Sequence, residues 1–167
     1  AIFDFLEMKA KTGVVSPRLR ADLGILDPNS LKTLPPLVRA ANGFDVFSHA
    51  CESFTARPFT QRPAPPDPTK RPLSQGANPY SDIACIEAIE MIGNNLVQAV
   101  NDPQDHNFEA LMFSGMLAGI GFGNAGCHLP HAMSYAVAGL VKDYYPEGWV
   151  QDPPMVPHGI AVIVNSP

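Results

Sequence analysis

Residues 43–54 read GFDVFSHACESF, and the interpretation of the fold depends on this stretch. Asp45 and His49 lie four residues apart, so on a helix their side chains share one face. Taken alone, such a pair is better explained by a solvated surface pair or a helix-internal hydrogen bond. The surrounding residues are almost wholly apolar, however, and burying a carboxylate among them is costly unless a metal ion or a positive partner compensates its charge. The stretch therefore predicts a buried helix that presents two candidate metal ligands.

Two further histidines stand in similar surroundings. His131 lies in GCHLPHAMSYAVAG and His158 lies in PMVPHGIAVIV, where proline and small residues precede apolar helical patterns. A single histidine in such a setting is more often a core or capping residue. Together with Asp45 and His49, these residues would supply three imidazoles and one carboxylate, a donor set that suits iron, zinc or another borderline divalent ion.

The remaining two histidines are interpreted differently. His106 follows Asp105 at a polar helix start, and we expect it to be solvated. His128 lies three residues before His131 and is a candidate to contact that side chain, although a core or capping role is favoured.

The composition limits the class of protein. A chain of 167 residues amounts to about one domain. Charged residues make up only 16%, below the average of about 25%, which indicates that another domain or subunit normally covers part of the surface. The net charge of −5 argues against nucleic acid or an anionic membrane as a partner. No apolar run reaches the roughly 18 residues of a membrane span, and three widely spaced cysteines indicate buried thiols in a reducing compartment.

Helical patterns dominate the chain after a short opening segment. We predict strands at residues 1–5 (AIFDF) and 21–26 (ADLGIL). The predicted helices span residues 37–55, 81–100, 103–120 and 129–144. Seven of the 18 prolines fall within residues 57–80, which predicts a long loop of the kind that is usually functional or disordered. A second proline-rich loop is expected at residues 149–157.

One glycine pattern imitates a nucleotide-binding motif. Gly121, Gly123 and Gly126 spell G-x-G-x-x-G, and Asp143 lies 20 residues after Gly123. A dinucleotide fingerprint requires a strand before the glycines, whereas the preceding EALMFSGMLAGI is rich in helix formers. We therefore expect these glycines to end a helix and to form a tight turn beside the metal site.

Three motifs resemble those of the iron-containing (type III) alcohol dehydrogenases, in the same order and at similar separations. GFDVFSHACESF resembles the first metal motif of that family, GFGNAGCHLPHAMSYAVAGL the second, and VPHGIAVIV the third. The resemblance implies Asp45, His49, His131 and His158 as the metal ligands. It also implies a mainly α fold: a helical metal-binding domain of the dehydroquinate synthase-like, iron alcohol dehydrogenase type, preceded by short strands of an α/β nucleotide-binding domain.

The same resemblance implies how the chain is divided. Residues 1–30 would be the last strands of an incomplete nucleotide-binding domain, and residues 31–167 would be a helical iron-binding domain that is incomplete at its C-terminus. The glycine-rich turn that holds the cofactor phosphates would lie in a part absent from this chain, so no cofactor-binding residue is assigned. We expect the 167 residues alone to be inactive.

The long loop ending in KRPLSQGANPYSD and the segment GIGFGNAGCHLPHAMSY are similar to the hydroxyacid–oxoacid transhydrogenase branch of the family. This similarity implies an oxidoreductase with Fe²⁺, or alternatively Zn²⁺, that transfers hydride from 4-hydroxybutyrate to 2-oxoglutarate through bound NAD. It further implies small hydroxy and oxo acids as partners, neither nucleic acid nor membrane, and a homo-oligomer at full length. The location would be mitochondrial in a eukaryote and cytoplasmic otherwise.

The resemblance also indicates residues that act beside the metal. Many members carry a second histidine four residues after the position of His131, and here that position is Tyr135. Its hydroxyl is a candidate to donate or relay a proton. Arg57, Arg62 and Arg71 in the proline-rich loop are candidates for binding substrate carboxylates.

Three alternative functions stay open. A plain NAD(P)-dependent alcohol dehydrogenase or aldehyde reductase of the same family would carry the same motifs. A metal-dependent phosphohydrolase would also use a helical His/Asp site, but such enzymes usually show an adjacent His-Asp dipeptide, which this sequence lacks. The third alternative is a truncated, non-catalytic fragment.

Overall fold

Three long helices form the framework of the structure. The computed structural model describes residues 2–8, 10–148 and 154–166. Its helices are α1 (Pro36–Thr55), α2 (Pro79–Asn101), α3 (Asp105–Ala125), α4 (Leu129–Leu140) and α5 (His158–Ile163). α1, α2 and α3 pack against one another, α5 packs against α1, and α4 packs against α5. The prediction of a mainly helical fold is confirmed.

α1 begins at Pro36, whose fixed φ and missing N–H suit the first turn of a helix. Asn42 and Gly43, which weaken the sequence pattern, do not interrupt the helix. The glycine has a packing role, because a Cβ atom there would overlap the side chain of Leu96 on α2. Gly43 therefore allows α1 and α2 to approach each other closely.

α2 begins before the predicted start at residue 81. The N-terminal cap is Asn78, whose side chain accepts hydrogen bonds from the backbone N–H groups of Tyr80 and Ser81. The Ser81 hydroxyl in turn accepts a hydrogen bond from the backbone N–H of Asn78, which completes a reciprocal capping box. Pro79 occupies the first helical position and moves the start two residues earlier than predicted.

The glycine pattern that imitates a nucleotide-binding motif lies mostly within α3. Gly121 and Gly123 are helical, and only Gly126, with φ of 95°, leaves the helix. The expected turn over all three glycines is therefore wrong, as is the predicted helix end at residue 120. Gly121 faces α2, where a Cβ atom would lie 2.5 Å from the sulfur of Cys85. The residues directly before the pattern, from Asp105 onward, are helical and not a strand, so the decision against a dinucleotide fingerprint is supported.

α4 ends four residues earlier than predicted. Val141 adopts an extended conformation, and its N–H bonds back to the carbonyl of Ala138 to close the last turn. The predicted helix end at residue 144 is therefore wrong.

The prediction of two strands from a nucleotide-binding sheet is not supported. Residues 21–26 form no strand, and Leu23 and Ile25 are exposed. The opening segment instead forms a small antiparallel hairpin, in which β1 (Ile2–Phe5) pairs with β2 (Ala10–Gly13). A strand needs a neighbouring ladder, and in the part of the chain that the structure describes no strand lies beside residues 21–26.

Small side chains fill the centre of the three-helix framework. Ala50, Cys85, Ala88 and Ala118 come from α1, α2 and α3 and form one buried cluster. Because these side chains are short, the helices approach closely, and the dispersion contacts depend on tight packing. The framework therefore gives α1 a fixed position.

The proline-rich segment between α1 and α2 is an irregular loop, as predicted. It is fastened at both ends. The backbone N–H of Phe59 donates to Ala77, and the N–H groups of Gln75 and Gly76 donate to carbonyls in the last turn of α3. The other predicted loop, residues 149–157, lies partly outside the described residues.

α2 is long and apolar enough to pass a test of length and composition for a membrane span, with a mean hydropathy of 1.2. α3 and α4 pass the same test as a bent pair. Core helices of globular proteins pass it as well, and α2 packs against both α1 and α3. The observation is thus weak support for a membrane.

Candidate metal centre

α1 presents three polar side chains on one face. Asp45, His49 and Glu52 lie at helical positions i, i+4 and i+7. The Asp45 and His49 side chains are 25% and 17% exposed, and Glu52 is almost fully buried. One rigid helix therefore fixes their mutual positions.

Two histidines from other helices reach this face. The Oδ1 atom of Asp45 lies 3.2 Å from Nε2 of His131 on α4 and 3.7 Å from Nε2 of His158 on α5. The same oxygen lies 3.7 Å from Nδ1 of His49. The structure thus brings all four residues proposed as ligands together around one carboxylate oxygen.

Gly159 allows α5 to reach this position. A Cβ atom on Gly159 would overlap the backbone carbonyl of Ala41, one turn before Asp45 on α1. Backbone atoms of a packed helix cannot move aside as a side-chain end can. The absence of a side chain therefore allows α5 to lie directly on α1, which places His158 beside Asp45.

Ring stacking restricts the orientation of the imidazoles. His49 stacks between Phe122 and His131, with centroid distances of 4.2 and 4.3 Å. His158 meets the edge of His131 at 5.5 Å. These ring contacts restrict the orientation of the imidazoles without the help of a bound ligand.

Glu52 is a further residue of the site, beyond the four predicted ligands. Its Oε1 lies 2.6 Å from Nδ1 of His131, and its Oε2 accepts a hydrogen bond of 2.6 Å from the backbone N–H of His128. When His131 is neutral, a proton held on Nδ1 by Glu52 leaves the Nε2 lone pair available to a metal ion beside Asp45. The signal was present in the sequence, because Glu52 follows His49 by three residues in the same apolar stretch.

The electrostatics of these groups follow from their shared burial. Burial opposes the charge of Asp45 and Glu52, but hydrogen bonds from His131 and the other partners outweigh it, so both carboxyl pKa values are lowered. Burial lowers the pKa of His49 to about 4, although Asp45 opposes the shift. Burial also opposes the charge of His131, but Asp45 and Glu52 raise its pKa to about 9. At neutral pH the pair of ionised carboxylates therefore attracts positive charge to this point.

A divalent metal ion fits this donor set. One carboxylate oxygen and three imidazole nitrogens are ligand types shared by iron and zinc sites. The two negative charges of Asp45 and Glu52 balance a divalent cation once His131 has lost its proton. A carboxylate that accepts the second ring N–H of a ligand histidine is the usual outer partner in such sites.

A cavity opens beside the site. It has a volume of about 330 Å³, and Asp45, His49 and Phe122 form part of its wall. Apolar side chains such as Leu31 and Leu111 line most of the rest, and Arg39 and Asn42 add two polar groups. A larger cavity of about 460 Å³ has none of the four proposed ligands in its wall. The smaller one is the relevant space, because a small substrate in it would lie next to the polar cluster.

The thiol of Cys127 lies beside two of the proposed ligands. Single ligand atoms of Cys127, His49 and His131 all lie within 4.8 Å of one another. Asp45, His131 and His158 form a second such group. Burial first, and then the carboxylates of Glu52 and Asp45, raise the pKa of Cys127 to about 12.

The other predicted residues lie at the periphery. Tyr135 is exposed on α4, one turn after His131. Arg57 and Arg71 are exposed in the proline-rich loop, whereas Arg62 is half-buried and donates a hydrogen bond to the carbonyl of Ser74 within that loop. None of these positions by itself assigns a role in binding.

The two remaining histidines are placed as follows. His106 is exposed, as expected for a solvated residue. His128 precedes the first residue of α4, and its ring contacts the hydroxyl of Thr55 at 2.9 Å. The ring does not cap the helix. The backbone N–H of His128 donates to Glu52, and the same carboxylate contacts His131.

Known proteins resemble the chain in sequence and in structure. The C-terminal domain of the Fe-containing alcohol dehydrogenase family matches residues 72–142. The mitochondrial hydroxyacid-oxoacid transhydrogenase of Xenopus laevis is 44% identical over 169 aligned residues, covering 100% of this chain and 36% of that protein. The chain thus spans about a third of the length of such relatives.

Solved structures show the same architecture. A 1,3-propanediol oxidoreductase superposes with a TM-score of 0.71 at 29% identity, covering 93% of this chain and 33% of that one. The iron-containing alcohol dehydrogenase of Thermococcus thioreducens superposes with a TM-score of 0.69 at 27% identity, covering 92% of this chain and 32% of that one.

Proposed function

Since this chain belongs to the family of iron-containing alcohol dehydrogenases, we propose that it forms the metal-binding part of an oxidoreductase that transfers hydride between a hydroxy acid and an oxo acid. The observation that carries this proposal is the convergence of three histidines on the Asp45 carboxylate. Similarity over the whole chain to proteins named hydroxyacid-oxoacid transhydrogenase supports the substrate class.

Asp45, His49, His131 and His158 would hold the metal, which we propose to be Fe²⁺, with Zn²⁺ as the alternative. A divalent ion at this point would act as a Lewis acid toward a substrate oxygen. Residues around the ligands position the imidazoles and shape the space for the substrate. Glu52 would hold the proton of His131 on Nδ1, Phe122 orients the His49 ring by stacking, and the apolar side chains of the neighbouring cavity would reduce contact between water and the substrate.

The proposed substrates are 4-hydroxybutyrate as hydride donor and 2-oxoglutarate as acceptor, with NAD kept bound between the two half-reactions. Hydride transfer requires the reacting carbon and the nicotinamide to be held close together. Arg57, Arg62 and Arg71 are proposed to bind a substrate carboxylate, and the Tyr135 hydroxyl is proposed to relay a proton. The cavity beside Asp45 is large enough for acids of this size.

The division of the chain also stays a proposal. Residues 31–167 would form the iron-binding domain, and residues 1–30 would belong to the nucleotide-binding part, whose phosphate-binding turn lies outside this sequence. We therefore expect the 167 residues alone to bind little NAD. Names of similar relatives include the word mitochondrial, so we propose that location for a eukaryotic source, and a homo-oligomer at full length.

The test is a transhydrogenase assay on the protein that joins this chain to a nucleotide-binding part. We expect 4-hydroxybutyrate and 2-oxoglutarate to react without added NAD, and Asp45→Asn to abolish the reaction together with Fe²⁺ binding. A reaction that requires free NAD(P)H would favour a plain alcohol dehydrogenase or aldehyde reductase, which the likeness to a 1,3-propanediol oxidoreductase also suggests. Absence of both activity and bound metal would leave the non-catalytic fragment.

A further inference from the structure

Cys127 lies against the candidate metal centre without belonging to the four proposed ligands. Its sulfur and one ring nitrogen each of His49 and His131 lie within 4.8 Å of one another. In a tetrahedral zinc site, Zn–S bonds of about 2.3 Å and Zn–N bonds of about 2.0–2.1 Å separate sulfur and nitrogen ligands by about 3.6 Å. The three atoms therefore need to contract by at most about an ångström to hold one ion, which small side-chain rotations can provide.

We propose that Cys127, His49 and His131 form a second, thiolate-containing metal site that competes with the Asp45-centred site and prefers zinc or a similarly thiophilic divalent ion. This goes beyond the proposed function, since it requires no hydride transfer. It depends on that function only because His49 and His131 are shared between the two sites.

The shared histidines make the two sites mutually exclusive. An ion bound by His49, Cys127 and His131 is drawn toward the sulfur, while Asp45 and His158 belong to the other group of ligand atoms. Thiolate ligands favour zinc and softer ions, whereas carboxylate ligands suit Mn²⁺ and other hard ions. The identity of the ion therefore selects which site forms.

The thiol becomes a ligand by releasing its proton. When a divalent ion binds, the S–H bond breaks, the proton passes to the buffer, and the sulfur electron pair forms the bond to the metal. The Asp45 and Glu52 carboxylates, which contact the two ring nitrogens of His131, attract the cation to this point.

The other two cysteines provide matched controls. Cys85 is fully buried where α2 meets α3, and Cys51 lies on α1 between His49 and Glu52. Among the residues that the structure describes, neither belongs to a group of possible metal ligands. Replacing Cys51 removes one thiol from the chain while leaving the proposed site complete.

The experiment titrates the metal-free full chain with Co²⁺, a spectroscopic substitute for zinc, and follows the near-ultraviolet thiolate-to-metal charge-transfer band. We expect the band in the unmodified chain and in Cys51→Ser, and its loss in Cys127→Ser and Cys127→Val. The dissociation constant for Zn²⁺ should rise by roughly tenfold or more in both Cys127 variants, because a ligand is lost. That for Mn²⁺ should stay unchanged.

Other outcomes separate this proposal from the proposed function. Co²⁺ binding by the unmodified chain without a thiolate band would overturn the Cys127 site and leave the Asp45-centred site in place. A band that survives in both Cys127 variants would also overturn it. If the unmodified chain binds no Co²⁺, both the second site and the metal centre of the proposed function are wrong.

Discussion

The two halves of the candidate metal centre are built in different ways. Asp45, His49 and Glu52 come from one helix of 20 residues that packs against α2, α3 and α5. His131 and His158 come from helices of 12 and 6 residues that join the site only through contacts with the rest of the molecule. Helical periodicity positions the first half, whereas individual long-range contacts position the second.

Their electrostatics differ in the same way. His49 and His131 stack at 4.3 Å, yet the pKa of His49 is lowered to about 4 and that of His131 is raised to about 9. Burial opposes the charge of both rings, but only His131 has a carboxylate beside each ring nitrogen. His131 and His158, on α4 and α5, form the docked half of the site, and Asp45, His49 and Glu52 form the α1 half. The docked half depends on charges that the α1 half supplies. Substitutions at the contacts between the halves should therefore have the largest effects on metal affinity.

The largest effect is expected for Gly159→Val. The new side chain overlaps the carbonyl of Ala41 and pushes α5 from α1, which withdraws His158 from Asp45. Overpacking of this kind costs about 3 kcal/mol, and loss of a ligand should raise the metal dissociation constant by about a hundredfold. Calorimetric titration with Mn²⁺, which suits the Asp45-centred site, measures the second quantity, and urea unfolding of the metal-free chain measures the first.

Gly139→Ala is the matched control for this substitution. Gly139 also lies on a docked helix, but a Cβ atom there meets nothing within 4 Å. Metal affinity should be unchanged in this variant. An equal loss of affinity in both variants would show that α4 and α5 are generally sensitive and that the contact with Ala41 is not special.

The next largest effect on metal affinity is expected for Glu52→Gln, which replaces one carboxylate oxygen with an NH₂ group. Two N–H groups donate to the Glu52 carboxylate, and glutamine offers only one carbonyl oxygen to accept them. If its NH₂ group faces His131, the ring must accept at Nδ1 and carry its proton on Nε2, where it blocks the metal. The loss of such an outer partner costs roughly 10–100-fold in metal affinity.

Thr55→Val separates the role of Glu52 from general damage to the start of α4. Thr55 contacts the ring of His128, so its removal disturbs the same segment without changing the partner of His131. Affinity for Zn²⁺ should fall only in Glu52→Gln. Equal affinities in the two variants would contradict the role assigned to the carboxylate.

The sequence predicts the α1 half of the site better than the docked half, for a physical reason. α1, Asp45 and His49 follow from local periodicity, and the loop after α1 follows from its prolines. The contact from Glu52 to His131 spans 79 residues, and no local pattern reports such a partner. The helical continuation of α3 through Gly121 was missed because glycine propensity describes an isolated helix, whereas close packing on Cys85 decides this position.

A smaller effect within the framework is expected for Gly121→Ala. Its Cβ atom would lie 2.5 Å from the sulfur of Cys85, which is fully buried. The free energy of unfolding should fall by about 1–2 kcal/mol. In a Cys85→Ala background the overlap is removed, so the same substitution should cost less, and a double-mutant cycle measures the difference. Additive effects would show that α2 and α3 separate instead of packing on this contact.

The smallest effect, of opposite sign, is expected for Gly119→Ala. Gly119 is helical in α3, and a Cβ atom there meets nothing within 4 Å. Alanine reduces the backbone entropy of the unfolded chain and fits the helix without overlap, so unfolding should become less favourable by about 0.5–1 kcal/mol. Urea denaturation of the metal-free chain checks this value. Metal affinity should not change, because the Phe122 ring is what α3 stacks on His49, and the added methyl group leaves that contact intact. A loss of stability at Gly119 would mean that α3 packs more tightly at this position than the structure shows, and the contrast between the open position at Gly119 and the tight contact at Gly121 would then fail.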